Sequence, residues 1–326
     1  MTSTRSVSSV ESVVAASGIE VADVLLRVEE RMEALAGGYG PQLAHHARST
    51  ISAGGKRLRP LLVCLAAGVP VVETDALLRA AVAVELVHAA TLVHDDVLDG
   101  AALRRGRPTV VATGGRLIAT ATGDLLFSRA FAELAGGGGI EPVRVLSRAV
   151  SGLAAGELMQ REDAWRMDVT VERYLERCRL KTAVLFRGAC ELGALSAGLE
   201  PGGLGRFGES IGLAFQLLDD ILDVTGPPER TGKPRGADLL DGTVTLPFIV
   251  ARELDGDLVE LDLRSVCSPQ TAGAVCDQIA ATGALEVARD RALSMVAEAK
   301  SSLPSLPDRQ RGVLEMVADG VVERYL

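Results

Sequence analysis

The sequence predicts an all-α protein, and three observations predict it. Apolar residues recur at three- and four-residue spacing along most of the 326 positions, the period of a helix with one buried face. Runs alternating apolar and polar between turn residues, which would mark strands, are scarce. Clusters of glycine and proline separate the periodic stretches, as at Gly37-Gly38 and at the tetraglycine Gly136 to Gly139. Hydrophobic residues are 48% of the chain, enough for a large core. Length alone would suggest about two domains of roughly 150 residues. The motifs described below run from residue 55 to residue 247 and must meet at one site, so a single domain over 19–326 is expected, preceded by a disordered Ser- and Val-rich tail, 1–18.

Ile19 to Leu35 is amphipathic and ends at Gly37-Gly38; a helix around Gln42 to Ile51 follows. Asp75 to Val97 reads as one long helix. Leu117 to Leu134, Val143 to Met159, Val171 to Ala197 and Leu204 to Asp223 are the next helical stretches. Thr225 to Thr243 is dense in Gly, Pro and charge and has the composition of a mobile flap over a site. Leu246 to Leu326 alternates helical patterns with Gly and Pro breaks and carries no legible chemistry.

Composition excludes several classes of function. Net charge is −9 and no long basic block exists, which argues against nucleic acid. Cys64, Cys178, Cys190, Cys267 and Cys276 are scattered without a C-x-x-C pair, so neither a disulfide framework nor a zinc site is indicated, and a reducing cytoplasm fits. The N-terminus lacks a basic start followed by an apolar core. The run Leu61 to Val72 contains Gly68 and Pro70 and falls short of the ~20 residues that span a bilayer, so no membrane-spanning segment is expected.

The chemistry is carried by His94-Asp95-Asp96-Val97-Leu98-Asp99. Asp95 and Asp99, four apart, share a helix face, with Asp96 about a quarter-turn away. Three crowded carboxylates repel one another unless a cation lies between them. Mg²⁺ suits them: it takes oxygen ligands and is usually held by one or two carboxylates plus substrate phosphates. A lone Asp-Asp-x-x-Asp is more often a solvated helix end. A second copy, Asp219-Asp220-Ile221-Leu222-Asp223, after Phe215-Gln216, changes that balance.

Cations suited to phosphate accompany both. Gly54-Gly55-Lys56-Arg57-Leu58-Arg59-Pro60 joins a free backbone to three positive charges, and Leu103-Arg104-Arg105-Gly106-Arg107-Pro108-Thr109 adds more. Lys181, inside an apolar helix, needs a partner, either diphosphate or water reached by snorkelling. His88, a turn or two before the first motif, has a satisfied helical role as its bland reading and donation to phosphate as its functional one.

With these residues in order, together with Gly123-Asp124, Gly156-Glu157 with Gln160, Lys181-Thr182-Ala183 and Gly232-Lys233 through Thr245-Leu246-Pro247, the sequence resembles the polyprenyl synthetase family of trans-isoprenyl diphosphate synthases. The resemblance implies an isoprenoid-synthase fold of antiparallel helices around a central cavity, in a homodimer. It implies that Asp95, Asp99 and Asp219, supported by Asp96, Asp220 and Asp223, hold Mg²⁺, about three ions per site, against an allylic diphosphate. Arg104, Lys181, Thr182, Gln216 and Lys233 would contact the same substrate. Gly55, Lys56, Arg59, His88 and Arg105 would cradle isopentenyl diphosphate. Catalysis would then fall to Asp95, Asp96, Asp99, Lys181, Asp219 and Asp220: the allylic C–O bond ionises, isopentenyl diphosphate attacks the cation, and a proton leaves with no side-chain base evident.

In the family, residues four and five positions before the first Asp set product length. Here they are Thr91 and Ala90, with Val87 a turn earlier, all small or modest, which implies a product of about C30 to C50 rather than farnesyl or geranylgeranyl diphosphate. One departure is Thr243, where many relatives carry Lys. Three other readings compete. A class I terpene cyclase would want aromatic faces for its cations, and only 3% of residues are aromatic. An HD-type phosphohydrolase would use His94-Asp95 with His45, His46 and His88, leaving the second acidic motif without a role. A non-catalytic subunit would not need both acidic motifs intact.

Overall fold

The structure, a computed structural model, describes residues 9–68, 74–104, 106–226 and 234–323. Helices α1 (Ser9–Ser17), α2 (Ile19–Leu35), α3 (Pro41–Ser52), α4 (Leu58–Ala67) and α5 (Asp75–Asp99) come first. A two-residue antiparallel pair, Leu103–Arg104 with Arg107–Pro108, is the only strand structure among the described residues. Then follow α6 (Val110–Ala135), α7 (Ile140–Asp163), α8 (Val171–Cys178), a π turn over Arg179–Ala183, α9 (Val184–Ser196) and α10 (Pro201–Thr225). Shorter helices and three longer ones, Pro269–Ala281, Ala284–Ser301 and Asp308–Glu323, complete the chain. The all-α expectation is met.

The boundaries follow local chemistry. The Thr74 hydroxyl accepts the Leu77 N–H to start α5, and Gly100, at φ 62, stops it. Thr109 caps α6 in the same way. Three differences from the sequence reading have physical reasons. The stretch expected to be a tail is helical over Ser9–Ser17, because Val13 and Ser17 are buried and the Ser17 hydroxyl donates to the Val13 carbonyl. Helix α6 starts seven residues earlier than Leu117: Gly115, at φ 77, bends the helix without ending it, a conformation that costs glycine little. The helix expected over Val171 to Ala197 is interrupted by the π turn.

Two compact units interleave along the chain. The first takes the described residues of Met1–Val150, Leu185–Gly208 and Leu303–Val317; the second takes those of Ser151–Val184, Glu209–Ser302 and Ala318–Leu326. In the first, α5 packs along α6 and against α4, around Met32, Leu61, Leu62, Leu86, Leu126 and Phe186, all sealed from solvent. In the second, Tyr174, Leu217, Phe248, Leu263 and Ile279 form the centre. Among the described residues α5 alone is long and apolar enough to cross a membrane, but 72% of its apolar stretch is buried inside the protein, as expected of a core helix. All five cysteines are free thiols.

Candidate active site

The first acidic motif closes α5 in the first unit. Carboxylates at a helix C-terminus face the negative end of its dipole, an unfavourable placement without a cation. The three are not equivalent. Asp96 is buried and accepts a 2.7 Å hydrogen bond from Nε of Arg104, whereas Asp95 is half-buried and Asp99 exposed. Burial, opposed by Arg104 and reinforced by the nearby Asp99 charge, raises the Asp96 pKa. Arg104 comes from the short hairpin, which Arg107 ties to the end of α3 through the Ser52 carbonyl at 3.2 Å. Arg104, expected to touch substrate, is bonded to Asp96 in this structure. Arg105 lies outside the described residues.

His94 points its Nε2 at the Thr120 carbonyl, 3.2 Å away, and at Asp124, 3.5 Å away, on α6. His45 and His46 meet each other edge to face. No three His, Cys, Asp or Glu groups among the described residues gather to hold an ion unaided.

Upstream on α5, His88 and Thr91 are partly accessible, on the same stripe as Asp95, and the Thr91 hydroxyl donates to the His88 carbonyl at 2.8 Å. Val87 and Ala90 are fully buried. Of the three residues expected to set product length, Thr91 alone is accessible; the other two sit on the face packed in the core.

The basic run preceding α4 is split by function. Gly55 and Lys56 are exposed, and Arg59 is half-buried with its guanidinium 4.8 Å from the Phe186 ring centroid. Arg57 turns inward to Glu29 and Glu85. Burial weighs against its charge, yet the hydrogen bonds and charges of the two carboxylates outweigh that and raise its pKa.

In the second unit a hydrogen-bonded chain underlies the second acidic motif. The Thr182 hydroxyl donates to Gln216 Oε1 at 2.6 Å, Gln216 Nε2 to Asp220 Oδ1 at 2.8 Å, and the Tyr174 hydroxyl to Asp220 Oδ2 at 2.6 Å. Tyr174 and Asp220 are buried, and Asp219 is exposed. Burial pushes the Asp220 carboxyl up to about 7, against its two hydrogen bonds and with the help of the Asp219 charge. Asp223, half-buried, accepts the Asp238 N–H at 3.2 Å and so anchors the returning chain. Lys233 lies outside the described residues.

Lys181 and Thr182 ride on the π turn. Lys181 has found a protein partner, Glu157, at 2.6 Å, which Arg161 also contacts at 2.9 Å. These two cations outweigh burial and lower the Glu157 pKa. The turn lies close against α7 at Gly156: a Cβ there would stand 2.5 Å from the Lys181 backbone nitrogen. Gly156→Ala must therefore displace the π turn, and turnover should fall about ten- to a hundredfold, because misplacing a reacting group by an ångström has that effect. Steady-state kinetics beside a melting curve check it.

Sequence reasoning missed Tyr174 altogether and missed that Glu157 partners Lys181. The i, i+3 pair Glu157 and Gln160 was a visible hint. A buried tyrosine two turns before Lys181 carries no signal in a single sequence.

The donor set fits a hard divalent cation. It is carboxylate oxygen throughout, and in each motif one buried Asp is fixed by hydrogen bonds while its neighbours stay accessible. A helical protein with two such carboxylate-bearing helix ends has the construction of an enzyme of the isoprenoid-synthase type. The polyprenyl synthetase family model matches residues 41–272. Among curated proteins, component 2 of a heptaprenyl diphosphate synthase from Geobacillus stearothermophilus is 41% identical, over 91% of this chain and 95% of its own length. A geranylgeranyl diphosphate synthase from Methanosarcina mazei is 37% identical, over 87% of this chain and 90% of its own. Among solved structures, a polyprenyl synthase from Caulobacter crescentus, complexed with calcium and isoprenyl diphosphate, superposes with a TM-score of 0.88 at 34% identity, covering 99% of this chain and 100% of that one. The chain belongs to the polyprenyl synthetase family and is a prenyltransferase.

Proposed function

We propose that this chain is an all-trans polyprenyl diphosphate synthase that condenses isopentenyl diphosphate head to tail onto an allylic diphosphate, with a product of about C30 to C50. The observation that carries the reading is the shared construction of the two acidic motifs. A solvated helix end has no reason to fix its middle Asp, by Arg104 in one case and by Tyr174 and Gln216 in the other, and to leave the flanking carboxylates accessible.

Asp95, Asp99 and Asp219 would hold Mg²⁺, which supplies neutralising charge on the allylic diphosphate and so eases loss of that group. Lys181 exchanges its Glu157 contact for the same phosphates. Lys56 and Arg59, with Gly55 and His88, bind isopentenyl diphosphate, and Arg105 is assigned to the same substrate by its place in the sequence motif. No side chain need act as nucleophile, and the final proton leaves toward the departing diphosphate. The Caulobacter synthase, solved with a divalent ion and isoprenyl diphosphate, supports this assignment. Long products are supported by heptaprenyl and octaprenyl synthases among the relatives.

The deciding experiment incubates the purified chain with Mg²⁺, isopentenyl diphosphate and, separately, dimethylallyl, geranyl, farnesyl and geranylgeranyl diphosphates, and reads product length by mass spectrometry. A linear product of about C30 or longer supports the proposal, and C15 or C20 overturns its length. The Geobacillus relative is named as one component of a synthase, which favours a second reading, a catalytic chain that needs another subunit. Diphosphate binding without elongation by the lone chain would select it over a self-sufficient homodimer.

Length control should follow accessibility. Thr91→Phe is expected to shorten the product by at least one isoprene unit with little loss of stability. Ala90→Phe overfills a sealed position and should cost about 1–3 kcal/mol of stability instead. Product profiles and melting curves of the two variants separate the effects.

A further inference from the structure

Arg57 has a left-handed backbone, φ 46 and ψ 37, shared among described non-glycine residues only with Trp165. An L-residue is strained there, because its Cβ crowds the following carbonyl oxygen. Something must hold it there. Its guanidinium grips the Glu29 carboxylate with Nε and Nη2, the latter at 2.8 Å, while Nη1 donates to Glu85 at 2.7 Å and Nη2 also reaches the Ile51 carbonyl at 3.0 Å. One side chain thus ties α2, the end of α3 and α5 to a single loop position. Glu85 is buried and lies one turn before His88. With two carboxylates around one guanidinium, the triad is net negative and offers nothing to an anion. Arg57 is therefore not a third phosphate contact, although it stands between the two residues assigned that role.

A left-handed residue redirects the chain, so the directions of Lys56 and Arg59 depend on Arg57 keeping its conformation. We propose that Arg57 is a positioning residue for isopentenyl diphosphate, its anchor to Glu29 and Glu85 holding the loop turn that aims Lys56 and Arg59 at one diphosphate. The proposal rests on the assignment of those two cations to isopentenyl diphosphate.

Arg57→Ala tests it, because it removes the anchor and leaves the left-handed position to a residue that does not favour it. Arg57→Ala with Glu85→Gln avoids leaving a buried charge unpaired and serves if the single variant does not fold. The expected result is a rise of about ten- to a hundredfold in KM for isopentenyl diphosphate, with KM for the allylic substrate and kcat within about threefold. Calorimetric affinity of the variant for isopentenyl diphosphate alone should fall in parallel. Unchanged isopentenyl affinity in a folded variant overturns the proposal, as does an equal loss toward both substrates that tracks a lower melting temperature. Lys56→Ala is the control: if it leaves isopentenyl affinity intact, the assignment of the cradle itself is wrong.

Discussion

Asp219→Asn should lower kcat by about 10²–10³-fold with little effect on stability, because on the proposed function it removes charge from an accessible carboxylate that would hold Mg²⁺ against the leaving diphosphate. Its neighbour behaves in the opposite way. Asp220 gives both oxygens to Tyr174 and Gln216, and an asparagine there can keep the chain of hydrogen bonds by reversing it. Gln216 turns its oxygen to the new amide and its nitrogen to Thr182, whose hydroxyl accepts as readily as it donates. The carboxyl stands near 4 when unfolded and at about 7 when folded, so the folded state binds the extra proton between these values. Stability associated with Asp220 is thus present below about pH 4 and is lost as pH rises toward 7. Metal-free Asp220→Asn should match the parent at pH 4 and melt progressively higher than it up to pH 7. Melting curves in chelator across that range decide the point, and parallel curves for the two proteins would mean that Asp220 carries no such cost.

Arg104→Ala should be the most destabilising change near the first motif. It strands the buried Asp96 charge, a loss of about 3–5 kcal/mol for a fully buried pair and less here because Arg104 is partly solvated. A value near 2 kcal/mol is expected above pH 7. Adding Asp96→Asn should restore most of the stability without restoring turnover, since the carboxylate that Arg104 serves is gone. Chemical denaturation of the parent, both single variants and the double variant closes the cycle.

These two results concern residues that the sequence showed but did not explain. The carboxylate spacing was legible because four residues on a helix must share a face, and α2 was legible to the residue because Gly18 and Gly37 bracket an amphipathic run. Which Asp of each motif points inward was not legible, since that depends on partners 8 and 46 residues away in the chain. The π turn was equally hidden. One extra residue in the turn over Arg179–Ala183 leaves no mark on the helical pattern that runs through it, and it becomes visible only through the close approach at Gly156. Arg57 was counted with its neighbours as one of three cations, because charge can be read from sequence and a left-handed φ on arginine cannot.

The last helix has a bearing on how the protein is made. Gln310 donates to the Leu65 and Ala66 carbonyls at 2.9 and 3.0 Å, closing the end of α4, and Arg309 reaches the Ser17 carbonyl at 3.1 Å. Leu314 is sealed in the same core. A ribosome that has delivered the first 300 residues has therefore delivered a unit whose α4 still lacks its final hydrogen bonds and part of its apolar cover. Folding of the first unit must wait for residues some 250 positions downstream, a high contact order that slows the reaction and leaves nascent chains dependent on protection from aggregation.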